Sequence, residues 1–274
     1  MKPENLKTVA EQAARMAGSF LRLMSFTDLQ IFRKGKSDVV TNFDMESERL
    51  IKNHIRMHFP DHVIQAEESQ INLDSLPDNV IWFIDPLDGT KAFLRGNFAF
   101  VCMSIAAWDK SGVLAGVVYN PFTDMLYSTS KNGDVSLNGT VFHSARTDCP
   151  LKKARVLIDF SSRISDQIQH ELATADLTGK IGRTYRLGGG ISQHLMLIAQ
   201  ASLDGGIFWG AGYKGQFWDI AAATLIIERL GLKFTNLDGD PIHPTDEVFD
   251  RLLVAAPSLH QELLEWVTHL KELQ

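Results

Sequence analysis

Two cysteines, Cys102 and Cys149, are all that the 274 residues contain. That scarcity excludes a disulfide-stapled fold and a zinc site built on paired cysteines, and makes a reduced, cytoplasmic chain the simpler expectation. Basic charge is also in short supply. Against 33 Asp and Glu stand 27 Lys and Arg, a net charge of −6, whereas a dedicated nucleic-acid binder usually carries a basic face. No apolar run approaches the roughly 20 residues that cross a bilayer. Glu4, Glu11, Arg15 and Arg22 interrupt the N-terminus, which therefore does not read as a signal peptide. Repeats, low-complexity tracts and flexible linkers are missing as well. Neither a membrane nor direct nucleic-acid contact is expected. What is present, 45% hydrophobic and 22% charged residues, suits a globular chain long enough to bury a sizeable core.

Val9, Ala13, Met16, Phe20 and Met24 recur at helical spacing. Thr41 or Asn42 caps a second helix that ends before Pro60, with Leu50, Ile51 and Ile55 as its apolar stripe and Asp44 in its first turn. Val63-Ile64 is a short strand that delivers Glu67 and Glu68. Residues 98–108 and 113–119 read as paired strands and 125–129 as another, with turns at Asn132-Gly133 and Asn138-Gly139. After Cys149-Pro150 the rhythm changes. A strand at 156–158, a helix at 164–177 and a Gly188-Gly189-Gly190 loop entering a helix through Ala201 come first. A strand at 205–208, a helix at 218–230 closed by Gly231, and a strand at 252–256 before a terminal helix follow. The pattern predicts an α/β protein: an α+β half over 1–148 with a largely antiparallel sheet, and an α/β half over 149–274 completing the site.

The rest of the chain is organised around Asp85-Pro86-Leu87-Asp88-Gly89-Thr90. Residues 80–84 ahead of it are apolar and rich in strand formers. Pro86 cannot extend a ladder and Gly89 relaxes the backbone, so the strand is expected to end and turn there. Two carboxylates three positions apart, then a hydroxyl and N–H groups at a helix start, suit hard cations and a phosphate. Glu67-Glu68, and Asp219 after Trp218, set further acids at the ends of apolar elements. Magnesium takes carboxylates and water without sulfur or imidazole, and such a cluster without a cation suffers like-charge repulsion. Each acid alone has a plainer reading. Asp85 and Asp88 can satisfy turn N–H groups, Asp44 and Asp219 can be helix-start charges, Glu67-Glu68 a solvated pair, and Lys36 a surface lysine. The combination carries the metal reading.

At these residues the sequence resembles the inositol monophosphatase family, within the lithium-sensitive, magnesium-dependent sugar phosphatases. Residues 85–90 match its first signature and Trp218-Asp219-Ile220-Ala221-Ala222 its second. Residues 36–44, Ala66-Glu67-Glu68-Ser69 and 116–122 match further segments. The resemblance implies a layered α/β/α/β/α, fructose-bisphosphatase-like fold and usually a homodimer. It also implies hydrolysis of a small phosphorylated alcohol by a metal-activated water, without a phosphoenzyme. Two to three Mg2+ ions follow from it: one on Glu67, Asp85 and the Leu87 carbonyl, a second on Asp85, Asp88 and Asp219, and a weaker third near Glu67. Phosphate and substrate would meet Asp88, the Gly89 and Thr90 N–H groups, Gly189, Gly190 and Asp219. Glu67, and Thr90 linked to Asp44, would position the water, with Glu68 behind them.

Departures from the family concern the leaving group. Gly188-Gly189-Gly190-Ile191 stands where many relatives have Gly-Ser-Ala, His194 replaces a family acid, and Ala66 a frequent glycine. Gly212 replaces the glutamate that contacts inositol hydroxyls. Trp209, Tyr213 and Lys214 are the candidates to substitute, because a polyol site that loses acceptors for buried hydroxyls binds that polyol less well. Inositol monophosphate or a close analogue is the expected substrate. Histidinol phosphate and adenosine 3′,5′-bisphosphate, handled by related branches, are the alternatives. A metal-binding regulatory protein with incidental turnover is the alternative of another class.

Overall fold

A computed structural model describes residues 2–34, 39–71, 78–144, 148–161, 164–210, 216–244 and 251–272. The elements run α1 (Pro3–Leu23), β1 (Ile31–Arg33), β2 (Val39–Thr41), α2 (Asn42–His58), β3 (Val63–Ala66), β4 (Ile81–Asp88), α3 (Thr90–Leu94), β5 (Cys102–Asp109), β6 (Gly112–Asn120), β7 (Met125–Ser130), β8 (Ser136–Leu137) and β9 (Thr140–Val141). They continue β10 (Arg155–Phe160), α4 (Asp166–Thr174), β11 (Arg183–Tyr185), α5 (Ile191–Ala199), β12 (Gly205–Trp209), α6 (Phe217–Arg229), β13 (Lys233–Asn236), β14 (Arg251–Ala255) and α7 (Pro257–Lys271). The chain folds into two compact units. One takes Met1–His143 with Gly188–Met196 and Trp218–Arg229; the other takes Ser144–Leu187, Leu197–Phe217 and Leu230–Gln274.

The first unit is built on a seven-stranded sheet in the order β3-β4-β5-β6-β7-β8-β9. Only the β3–β4 pair within it is parallel, so the largely antiparallel sheet read from the sequence is found. The α1 helix covers it with Leu6, Val9, Ala10, Ala13, Ala14, Ala17 and Leu21. Small residues dominate that face because α1 lies close to the sheet: a Cβ on Gly18 would fall 2.5 Å from the Tyr119 ring. Met16, expected in the stripe, is exposed, and Met24 lies just past the helix end. Thr41 caps α2, whose Ile51 and Ile55 join Phe43, Trp82, Ile84 and Leu87 in the same core. Fully burying an aliphatic or aromatic side chain of this kind stabilises by about 1.5–3 kcal/mol, so this core is what holds α2 in place.

The strand does not end at Pro86. It runs on to Asp88 through a bulge: Asp85 pairs with Ser104 and Asp88 with Cys102, so three steps along β4 match two along β5. Pro86, with no N–H to give, falls inside the bulge where no ladder bond is needed. The Leu87 N–H closes it on Asp85 Oδ1 at 3.0 Å. In a regular strand residues three apart face opposite sides; the extra residue cancels that, and both carboxylates are buried.

The second unit carries a five-stranded mixed sheet in the order β11-β10-β12-β14-β13. β10 is parallel to β11 and β12, while β14 is antiparallel to β12 and β13. Val156, Ile158, Ile207 and Leu253 of the sheet meet Ile168 and Leu172 of α4 and Leu259, Leu263 and Val267 of α7. The short, half-exposed β11 and β13 have too little alternating pattern to be read from sequence. The α4 helix is shorter than the 164–177 expectation, and β5 begins at Cys102 because residues 98–100 form a 3-10 turn.

Candidate active site

All of the described residues that the sequence marks for metal and phosphate chemistry belong to the first unit. The α2 N-terminus supplies Asp44. Thr41 and Asp44 form a reciprocal capping box, in which Asp44 Oδ2 accepts from the Thr41 N–H at 2.9 Å and from its hydroxyl. The other oxygen, Oδ1, accepts from Thr90 Oγ1 at 2.9 Å. Asp44 is therefore both a cap and a clamp on the first residue of α3. Burial pushes its pKa up to about 6, against the pull of the Thr41 and Thr90 hydrogen bonds.

The turn after β3 supplies Glu67 and Glu68. The Glu67 N–H continues the β3–β4 pairing onto the Ile84 carbonyl at 3.1 Å. Lys34 Nζ bridges the two side chains, 3.1 Å from Glu67 Oε1 and 2.5 Å from Glu68 Oε2. Burial, then the neighbouring Glu67 charge, raises Glu68 to about 8 even with Lys34 opposing.

The β4 bulge supplies Asp85 and Asp88. Burial, followed by the charges of Glu67, Asp88 and Asp219 and a hydrogen bond with Glu67, holds Asp85 far above the ordinary carboxylate range. Asp88 is raised to about 7, chiefly by burial. Its Oδ2 accepts from the Ser192 N–H at 2.8 Å, and Cys102 Sγ lies 3.8 Å away. Asp219 sits in the first turn of α6. That end of the helix is anchored by Ser104 Oγ on the Trp218 carbonyl at 2.8 Å and Ser192 Oγ on the Asp219 carbonyl at 2.5 Å. Gly116 makes room for it, since a Cβ there would fall 2.6 Å from the Ala222 carbonyl oxygen.

The glycine loop before α5 has a steric origin. The Gly190 N–H donates to the Phe100 carbonyl at 2.9 Å, and a Cβ on Gly190 would fall 2.5 Å from the Asp88 carboxylate. Gly189 takes φ +129°, and its Cβ would collide with the Phe100 carbonyl. Gly190→Ala therefore presses on the end of a side chain rather than on main chain, and rotating Asp88 relieves it. The expected result is a protein that folds normally but loses about ten- to hundredfold in kcat/KM, the size of effect seen when ligand orientation is disturbed. Steady-state kinetics beside a thermal melt would check it; an unchanged kcat/KM would show that the loop does not set Asp88.

His194 is fully buried, with its ring edge on Phe100 at a centroid distance of 6.4 Å. Burial lowers its pKa to about 4, so it is neutral at pH 7. Trp209 is buried within the second unit. Lys36, Gly212, Tyr213 and Lys214 lie outside the described residues. Sequence reasoning did not single out Glu48, Ser192 or Lys34. Glu48 had one available signal, its place one helical turn after Asp44.

Among the described residues no three His, Cys, Asp or Glu side chains form a group that could by themselves hold a metal ion. Magnesium asks for less, taking one or two carboxylates and filling the remaining positions with water and phosphate oxygens. The mutually repelling carboxylates of Glu67, Asp85 and Asp88, taken in pairs, and the Leu87 carbonyl fit that demand. A hard cation would also relieve the repulsion that raises Asp85.

Comparison with known proteins identifies the family. The model of the inositol monophosphatase family matches residues 2–272. Inositol monophosphatase 2 of Solanum lycopersicum is 32% identical over 269 residues, covering 94% of this chain and 95% of the relative. The Nus factor SuhB of Pasteurella multocida is 31% identical and covers 93% of each chain. The crystal structure of the extragenic suppressor protein suhB from Bartonella henselae superposes with a TM-score of 0.80 at 25% identity, covering 96% of this chain and 98% of the other.

Proposed function

The chain belongs to the inositol monophosphatase family, and we propose that it is a magnesium-dependent phosphatase of inositol monophosphate or a closely similar phosphorylated alcohol. The phosphoric monoester hydrolase class comes with the family; magnesium, the substrate and the residue roles are this proposal. The observation that carries it is the β4 bulge, which buries the carboxylates of Asp85 and Asp88 together within reach of the Glu67 and Asp219 charges, with the Asp44–Thr90 hydrogen bond fixing the adjoining helix start.

In this reading Glu67, Asp85 and the Leu87 carbonyl would hold one cation, and Asp85, Asp88 and Asp219 a second; Glu67 would also serve a third, weaker one. Bound there, magnesium lowers the pKa of water and neutralises charge on the phosphoryl and leaving oxygens. The Gly89 and Thr90 N–H groups seat the phosphate, and Gly189 and Gly190 let the α5 loop approach it. Thr90 Oγ1 donates to Asp44 Oδ1, so its lone pairs remain to orient the attacking water with Glu67. Phosphoryl transfer needs alignment and charge neutralisation more than covalent help, so Ser, Cys and His nucleophiles have no part. Among the described residues no helix is long and apolar enough to cross a membrane; a homodimer in the cytoplasm is proposed.

Phosphate release tests the proposal, measured with magnesium on inositol monophosphate, histidinol phosphate, adenosine 3′,5′-bisphosphate and a simple alkyl phosphate. Release is expected from inositol monophosphate, abolished by chelation and inhibited by lithium. The Pasteurella relative's name as a Nus factor favours the second reading, a regulatory protein. A folded protein that binds magnesium yet releases phosphate from none of the four would establish that reading and sink the first.

A further inference from the structure

The α2 helix carries a second carboxylate one turn beyond Asp44. Glu48 is nearly as buried as Asp44, and a buried acid without a full set of partners is costly. Glu48 has one: Oε2 accepts from the Glu68 N–H at 2.7 Å, and Oε1 accepts from the Ser69 hydroxyl and meets Lys52 Nζ at 3.4 Å. Lys52 Nζ in turn reaches Ser69 Oγ at 2.5 Å. Of these partners Glu68 and Ser69 lie in the turn that carries Glu67. The Glu67 N–H is fixed to Ile84 on one side, and the very next N–H is fixed to Glu48.

Asp44 and Glu48 are four residues apart on one helix, so they share a face. One grips the start of α3 through Thr90; the other grips the turn after β3 through Glu68 and Ser69. The helix is itself held in the core by Phe43, Ile51 and Ile55. We propose that Glu48 is a positioning residue: its carboxylate, acting through the Glu68 N–H and the Ser69 hydroxyl, fixes the Glu67 backbone so that Glu67 faces Asp85 at metal-binding range. This rests on the reading of Glu67 as a metal ligand. Sequence patterning offers only a bland alternative for Glu48, a surface glutamate paired with Lys52 at i,i+4, and its burial and bond to the Glu68 N–H set that alternative aside.

The test is a calorimetric titration of Mg2+ into metal-free protein without substrate, beside a thermal melt. Glu48→Asp keeps the charge but withdraws the acceptor by one methylene; Glu48→Ala removes it. Both are expected to weaken metal binding about ten- to hundredfold, the usual cost of losing a partner that orients a ligand. Glu48→Gln keeps an oxygen for the Glu68 N–H and an amide for the Ser69 hydroxyl, and is expected to bind within about threefold of the parent. Should Glu48→Ala fail to fold, the contrast between the Asp and Gln variants carries the test. Melting changes with unchanged magnesium affinity in the Asp variant would make Glu48 merely structural and overturn the proposal, as would a Gln variant no better than Asp. Glu67→Gln separates the two readings. If it binds magnesium normally, the ligand assignment fails; if it is weakened and the Glu48 variants are not, only the Glu48 proposal fails.

Discussion

Asp88→Asn is expected to lower kcat/KM about a thousandfold, close to 4 kcal/mol of transition-state stabilisation, and to leave the fold in place. The substitution is nearly isosteric. Its remaining oxygen keeps the Ser192 N–H bond made at 2.8 Å and stays the atom that Cys102 Sγ faces. What disappears is a negative charge that, with Asp85 and Asp219, would hold one of the two principal cations. It disappears from a buried site where carboxylates already repel each other, so the metal-free variant should melt no lower than the parent. Loss of turnover with an intact melt distinguishes a missing ligand from a damaged core. Turnover unchanged at limiting magnesium would refute the assignment.

Gly190→Ala and Asp88→Asn probe the same carboxylate from outside and inside, and together they explain why its neighbourhood was only partly legible in the sequence. Asp85, Asp88, Glu67 and Asp219 could be found because each ends an apolar run, where burial next to a charge is unusual. Asp44 could be found as a cap residue, but its second oxygen on Thr90 depends on how α2 meets α3, which no local pattern encodes. The bulge in β4 inverted a local rule. Proline was read as a strand terminator, yet pairing resumes at Asp88, because a proline within a bulge costs no ladder bond. Glu48 has the sequence context of a solvated i,i+4 pair with Lys52 and becomes informative only through its bond to the Glu68 N–H. The glycine loop was legible as a departure from the family, while its cause, the approach to Asp88 and Phe100, required the tertiary packing.

The acid cluster also makes stability respond to pH and magnesium in opposite ways. A carboxyl group whose folded pKa lies above its unfolded value keeps its proton in the folded state over pH values where the unfolded chain has released it. Stability then falls as pH rises through that interval. Asp44, near 6, and Asp88, near 7, both do this from an ordinary 3.8. Buried His194 and His260, lowered from 6.5 to about 4, do the reverse, gaining stability as pH rises to about 6.5. Below that point the two effects offset one another. Above it the histidines are neutral in both states, whereas Asp88 near 7 and Glu68 near 8 still titrate. At about 1.4 kcal/mol per pKa unit, and roughly 2–4 °C per kcal/mol for a chain of this size, the metal-free protein should melt several degrees lower at pH 8 than at pH 6.5. Magnesium binds the ionised carboxylates and not the protonated ones, so its affinity, and with it the stabilisation it confers, grows over the same interval. Melting curves at the two pH values, with chelator and with magnesium, should therefore diverge as pH rises. Asp88→Asn should flatten the metal-free slope and shrink the magnesium gap at pH 8. Parallel curves in the parent protein would mean that these carboxylates neither repel one another when bare nor take up the cation when ionised.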